Sequence, residues 1–227
     1  MDYYKYFFVL SFAFCTYQCN DPTFQTTELD ISKDGKPDQF LHMHSKLKLG
    51  TFLETDSNQD GITDDFSWLK ADPNRKENTM LFYNELKTKD QVIKQTWYGP
   101  GNTKLIEKTD EDKDNYLETT TYYNRFAKPQ ITKGIVARIE IDIDKNDKTD
   151  IWLYPGVRME KDSDGDGVAD CLNKDIMEIQ KAFGLENNLS SLQSLLCSKF
   201  ANPNLSFAIH PEQIKEERLK AIIPFKL

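Results

Sequence analysis

Between residues 135 and 143 the chain reads Ile-Val-Ala-Arg-Ile-Glu-Ile-Asp-Ile. Past Val136 it alternates apolar and charged positions, the period-two pattern of a half-buried β-strand. Residues 91–97 and 117–123 are rich in β-branched and aromatic side chains and read as strands as well. Gly99-Pro100-Gly101 and Pro155-Gly156 between such segments are turn chemistry, with proline presetting φ and glycine accepting a positive one. The pattern predicts a mainly β fold, an antiparallel meander of repeated hairpins. From Cys171 the period changes. Ile176, Ile179 and Phe183 recur at helical spacing, with Gly184 placed to close the helix; Leu189, Leu192, Leu196 and Phe200 form a second stripe. A third helix is expected around Pro211, Ile214, Glu216, Lys220 and Ile222, so the chain ends in a small α-helical segment packed on the sheet.

Composition sharpens this picture through one residue type. Of 37 acidic residues, 23 are aspartate, and 17 of those fall in five nine-residue windows that begin at Asp30, Asp56, Asp110, Asp142 and Asp162. In the fifth window Asp162, Asp164, Asp166 and Asp170 occupy positions 1, 3, 5 and 9, with Gly167 at 6 and Val168 at 7. The second has Asp56, Asn58, Asp60, Gly61 and Asp64, and the first Asp30, Asp34, Gly35 and Asp38 with Ser32 at position 3. Carboxylates at 1, 3 and 5 of a tight loop converge on a point. A carbonyl at 7 and an oxygen at 9 complete the oxygen cage that a hard cation such as Ca²⁺ requires. Position 12 holds Leu41, Ser67 and Asn173 in these windows rather than the glutamate of an EF-hand. The third window, Asp110 to Glu118, and the fourth, Asp142 to Asp150, carry Asn115 and Asp147 at position 6 and are expected to be turns only. The spacing of the windows leaves one further copy degraded or missing near Asp72 to Asn78.

The text Asp-Ser-Asp-Gly-Asp-Gly-Val-Ala-Asp-Cys-Leu-Asn, from Asp162 to Asn173, resembles the thrombospondin type 3 repeat family, and the first and second windows resemble it more loosely. The resemblance implies side-chain ligand roles for Asp162, Asp164, Asp166 and Asp170 and a backbone role for Val168. The alternation of Asp-rich loop, aromatic strand and turn is also similar to repeats of bacterial surface lipoproteins.

The first 14 residues contain an apolar stretch from Tyr6 to Phe14, followed by Cys15 and Cys19 and then by Asn20-Asp21-Pro22. A cysteine after a short apolar segment resembles the lipobox of exported bacterial lipoproteins, which implies acylation at Cys19 (or Cys15) and anchoring to a lipid bilayer at the outer membrane or cell surface; without acylation the chain is secreted or periplasmic. No apolar run reaches the ~20 residues of a membrane-spanning helix. The expected organisation is 1–19 signal and lipobox, 20–29 linker, 30–170 β-repeat region and 171–227 helical segment. Two cysteines follow the signal, Cys171 and Cys197; export favours a disulfide between them over two buried thiols.

The net charge of −8 disfavours nucleic acid. There is no Gly-x-Ser-x-Gly, and no cysteine of the mature chain has a plausible histidine partner. The aspartates sit at cage spacing rather than as a hydrolytic pair. The chain is therefore expected to be a non-catalytic, calcium-binding exported protein. An adhesin holding a surface partner through its sheet or helices is the alternative. A metal-dependent hydrolase using His42, His44 and His210 is a third reading.

Overall fold

The computed structural model describes residues 23–72, 75–89, 91–123, 135–184 and 189–208. Cys15, Cys19, His210 and the third helical stripe lie outside the described residues. Thirteen strands form one sheet in which spatial order equals sequence order and every pairing is antiparallel. The first seven are β1 (Phe24–Leu29), β2 (Gln39–His44), β3 (Leu49–Thr55), β4 (Asp65–Asp72), β5 (Arg75–Thr88), β6 (Gln91–Gly99) and β7 (Thr103–Thr109). They are followed by β8 (Thr119–Tyr123), β9 (Val136–Ile141), β10 (Ile151–Tyr154), β11 (Arg158–Lys161), β12 (Cys171–Asn173) and β13 (Ser198–Lys199). Helices α1 (Ile176–Gly184) and α2 (Leu189–Ser194) join β12 to β13. The protein is thus mainly β, a single antiparallel meander with a small helical segment near its C-terminus.

Three boundaries differ from expectation. Residues 24–29, expected as linker, form β1, because Phe24-Gln-Thr-Thr-Glu-Leu29 finds a partner in β2 with six residues in register. The segment after Cys171 is not purely helical; it opens with β12 and returns to the sheet as β13. The Leu189 stripe is helical only to Ser194, since Cys197 is bonded to Cys171 with their Cα atoms 5.6 Å apart, which draws the chain back to the sheet edge.

One cross-strand row runs across most of the sheet. His42, Phe52, Trp68, Tyr83 and Trp97 sit opposite one another on successive strands, their ring centroids 5.5, 4.9, 5.0 and 5.1 Å apart. The row continues through Ile106 and Tyr122 to Arg138, whose guanidinium lies 4.2 Å from the Tyr122 ring centroid. Such directly opposed aromatic pairs are the local unit of sheet stability. From β2 to β6 most side chains on both faces are only half-buried, so this part is a single layer.

The core lies at the other end. Ile139, Ile141, Ile151, Leu153 and Met159 project from β9–β11 and are covered by α1 and α2, with Leu192 inserted among them at 1% exposure. On the opposite face Trp152 is sealed by Ala169, Phe200 and Ala208. The buried Glu160 beside it is paired with Arg158 and accepts hydrogen bonds from Ser206 Oγ (2.5 Å) and from the amides of Phe207 (2.8 Å) and Ala208 (3.0 Å). A charge so placed is tolerable because its oxygens are supplied with donors.

Stability is therefore concentrated in β9–β12. Leu192→Ala opens a cavity under α2 and should lower unfolding free energy by about 2–5 kcal/mol, whereas Leu53→Ala, on the single-layer part, should cost less than about 2 kcal/mol. Urea denaturation followed by circular dichroism checks the order; equal losses would contradict a core confined to the C-terminal strands.

Candidate metal centre

An up-and-down sheet places every odd-to-even connection on one edge. All five Asp-rich windows are such connections: β1–β2, β3–β4, β7–β8, β9–β10 and β11–β12. They are named loops 1 to 5 below. The sixth odd-to-even connection, β5–β6, is a tight turn between Thr88 and Gln91 with Lys89 at φ 50°. The absent copy therefore belongs here and not between Asp72 and Asn78, which spans the opposite edge, where β4 passes into β5. Strand parity, not sequence spacing, decides where a loop of this kind can stand.

The five loops follow one backbone path. Position 4 has positive φ in all: Lys33 64°, Gln59 61°, Lys113 62°, Lys145 63° and Gly165 79°. So does position 6: Gly35 89°, Gly61 89°, Asn115 78°, Asp147 65° and Gly167 87°. Asn and Asp tolerate this left-handed region better than other non-glycine residues. Loops 3 and 4, expected as plain turns because they lack the glycine, therefore adopt the same path.

The carboxylates are wired to the loops' own amides. The position-9 side chain accepts the amide of position 2 in every case, Ile31 to Asp38 at 2.7 Å, Ser57 to Asp64 at 2.8 Å, Glu111 to Glu118 at 2.7 Å, Ile143 to Asp150 at 2.5 Å and Ser163 to Asp170 at 3.0 Å. The position-5 oxygen accepts the amide of position 7, at 2.7–3.0 Å, from Asp34 through Asp60, Asp114 and Asn146 to Asp166. In loop 5 this donor is Val168, leaving its carbonyl free of that bond. The first aspartate accepts the position-6 amide in loops 1, 2, 3 and 5. Asn58 follows the same wiring, its Oδ1 accepting the Asp60 amide at 2.9 Å.

Among the described residues, three carboxylate triples have one oxygen of each member within 4.8 Å of the others: Asp110, Asp112 and Glu118; Asp142, Asp144 and Asp150; Asp162, Asp164 and Asp166. Loop 5 thus brings together three of its four expected acids, while Asp170 is held by Ser163, which donates both its amide and its hydroxyl. Loops 1 and 2 have the backbone path without such a triple. Loops 3 and 4 have the triple, using position 9 rather than position 5. The signal in the sequence was the carboxyl at positions 1, 3 and 9, with Asn or Asp accepted as an equivalent of glycine at 6.

Neighbouring loops are bonded edge to edge. The amide of Asp56 donates to Asp38 O, that of Asp142 to Glu118 O and that of Asp162 to Asp150 O, each at 2.8–2.9 Å. The first aspartate is buried in loops 2, 3, 4 and 5, and Asp30 of loop 1 is exposed. Burial raises the carboxyl pKa of Glu118 and of Asp150 against the pull of their amide donors. Asp38 moves the other way, lowered chiefly by the amide of Ser32. In Asp164 the Asp166 amide pulls the pKa down, but the Asp166 charge, some desolvation and the Asp162 carboxylate together outweigh it and the net direction is up.

Among the described residues, His42 and His44 form no such group. His42 Nε2 lies 2.7 Å from Glu54 Oε1 and Nδ1 3.0 Å from Thr26 Oγ1, while His44 Nδ1 accepts the amides of Lys46 and Leu47 at 3.3 Å. No protein-family model and no curated protein sequence matches the chain. Among solved structures, a crystal structure of TarM is similar over 57% of this chain and 21% of that chain, at 11% identity and a TM-score of 0.35. A mutant of S. aureus TarM in complex with fondaparinux, alpha-GlcNAc-glycerol and UDP is similar over 53% and 20%, at 12% identity and a TM-score of 0.34. The chain spans about a fifth of the length of the structures it matches, and a likeness of that size assigns it neither fold family nor activity.

Positive φ at two positions makes the loops sensitive to glycine in opposite senses. Gly61→Ala, at φ 89°, should cost about 1–2 kcal/mol, while Gln59→Gly, at φ 61°, should be neutral or stabilise by up to ~1 kcal/mol. Thermal melts of the two variants check this; a stable Gly61→Ala would mean the second loop takes another path.

Proposed function

We propose that the protein is a non-catalytic, calcium-binding exported protein, anchored to a lipid bilayer by acylation at Cys19 (or Cys15), in which Ca²⁺ is structural in the edge loops. What carries this reading is the recurrence of one strained backbone path in five loops that set oxygen side chains at positions 1, 3, 5 and 9. Three of those loops, including the one that resembles a thrombospondin type 3 repeat, gather three carboxylates within 4.8 Å. Two unit charges of like sign 4 Å apart repel by about 1 kcal/mol in water and by several times that near a protein surface. A divalent cation removes that repulsion, so its binding is linked to the order of the loop. Ca²⁺ is favoured over Mg²⁺ because the loops offer many oxygens on a flexible backbone, whereas Mg²⁺ demands octahedral geometry and keeps its waters. Without a bidentate glutamate at position 12, affinity falls in the ~10⁻⁴ to 10⁻³ M range of extracellular modules.

A second reading, partner binding through the sheet, is supported by the half-buried row His42, Phe52, Trp68, Tyr83 and Trp97 on the single-layer part. The two readings separate on whether substituting that row, with the loops intact, abolishes surface attachment.

Calorimetry of chelator-treated protein should show two to three weak Ca²⁺ sites, little heat with Mg²⁺ and a rise in melting temperature at millimolar Ca²⁺. No heat and no thermal shift would sink the proposal. Asp166→Ala should raise hydrogen exchange in loop 5 and, through the Cys171–Cys197 bridge, in residues 189–199, with little change in β9. For the anchor, Cys19→Ser should move the protein from the membrane fraction to the soluble one, and retention by both Cys19→Ser and Cys15→Ser would remove acylation from the proposal.

A further inference from the structure

Loop 3 carries a feature that none of the other loops shows. Glu118, its position-9 residue, is 2% exposed, and its Oε2 is buried with no hydrogen-bond partner, while Oε1 accepts the amide of Glu111 at 2.7 Å. A buried carboxylate oxygen without a donor is costly unless something positive meets it. The same side chain belongs to the triple with Asp110, itself 7% exposed, and Asp112. Loop 3 is also clamped to loop 4 from two sides. Tyr116, at position 7, donates its hydroxyl to Asp142 and lies 3.2 Å from Asp147 Oδ1. In return Lys145 of loop 4 places its ammonium on Asp114 and 3.4 Å from Asp112 Oδ2.

We infer that loop 3 is a divalent-cation site closed by Glu118, and that Lys145 is a competing internal cation which sets its affinity. The inference rests on the reading of the edge loops as calcium sites and adds to it a site that depends on a neighbouring loop. Asp110, Asp112 and Glu118 supply carboxylate oxygens, and the Tyr116 carbonyl stands at the position where such loops offer a backbone ligand. Tethering the Tyr116 ring to loop 4 fixes the backbone at that position. Lys145 and a bound ion draw on the same carboxylate, Asp112, and Lys145 is held next to it by Asp114. Loading the site therefore sets a second cation close to that ammonium. A charge of +2 and a charge of +1 about 5 Å apart repel, even at the dielectric constant of water, by enough to weaken binding roughly tenfold.

Calorimetric titration of the purified protein with CaCl₂, compared across Glu118→Gln, Lys145→Met and Asp166→Ala, tests this. Glu118→Gln keeps the shape of the side chain and should remove one site from the wild-type stoichiometry, leaving the site that Asp166→Ala abolishes. Lys145→Met should keep the stoichiometry and lower one Kd roughly tenfold. Full stoichiometry in Glu118→Gln, or no Kd change in Lys145→Met, overturns the inference while leaving calcium at loop 5 intact. Absence of binding in the wild type overturns the broader reading as well. If Glu118→Gln does not fold, Lys145→Met decides alone, since that side chain lies at the surface.

Discussion

Like charges held a few ångström apart along one edge are the constraint around which this molecule is built. Seventeen aspartates are packed into five loops, and antiparallel order puts all five on the same side of the sheet. Each loop meets the repulsion first with its own backbone: amides at positions 2 and 7 are turned toward side-chain oxygens at 9 and 5 in all five, and the position-6 amide toward the first aspartate in loops 1, 2, 3 and 5. That turning is what demands positive φ at positions 4 and 6. Strain in the backbone and satisfaction of the side chains are two aspects of one geometry. The loops then lean on one another, through amide-to-carbonyl bonds between loops 1 and 2 and along loops 3 to 5, and through Lys145 and Lys148, the latter 3.3 Å from Gly165 O.

The sheet divides into two regimes. In β2–β6 a single layer is held by ladder hydrogen bonds and by the opposed rings from His42 to Trp97. In β9–β12 both faces are covered, by α1 and α2 on one side and by residues 200–208 on the other. The disulfide sits where the two covers meet the sheet, tying β12 to the chain just before β13. Loop 5, which has the fullest set of ligands by sequence, emerges from this rigid part. Loops 1 and 2 emerge from the single layer, and there no carboxylate triple forms.

Much of this was legible. Alternation at 135–143 marked β9, the aromatic and β-branched runs marked β6 and β8, and the spacing of Ile176, Ile179 and Phe183 marked α1. What local pattern could not supply was parity. Nothing in residues 72–78 shows that they cross the opposite edge, since that follows only from counting strands. The shared path of loops 3 and 4 was hidden because glycine is the usual residue at a positive φ, and at position 6 Asn115 and Asp147 adopt it in glycine's place. The strand at 24–29 was hidden because only one of its six residues, Phe24, lies even partly buried; an edge strand has no second partner to impose a pattern on it. Glu118 was visible as an acid at position 9, but its burial was not, nor was the bond that its carbonyl accepts from the Asp142 amide of loop 4.

Spatial order that equals sequence order also fixes how the molecule can be made. No strand waits for a distant segment, so each closure is that of a hairpin and relative contact order is low for a β protein. A chain emerging N-terminus first can lay down β2 on β1, then β3 on β2, without rearrangement, always presenting its newest strand as the growing edge. Such an edge recruits other chains until it is blocked. The block arrives last, when β13, only two residues long, is fastened by the bridge to Cys171. Without that bridge nothing covalent would hold so short a strand against β12, and the edge at this end of the sheet would pass to β12, itself three residues long.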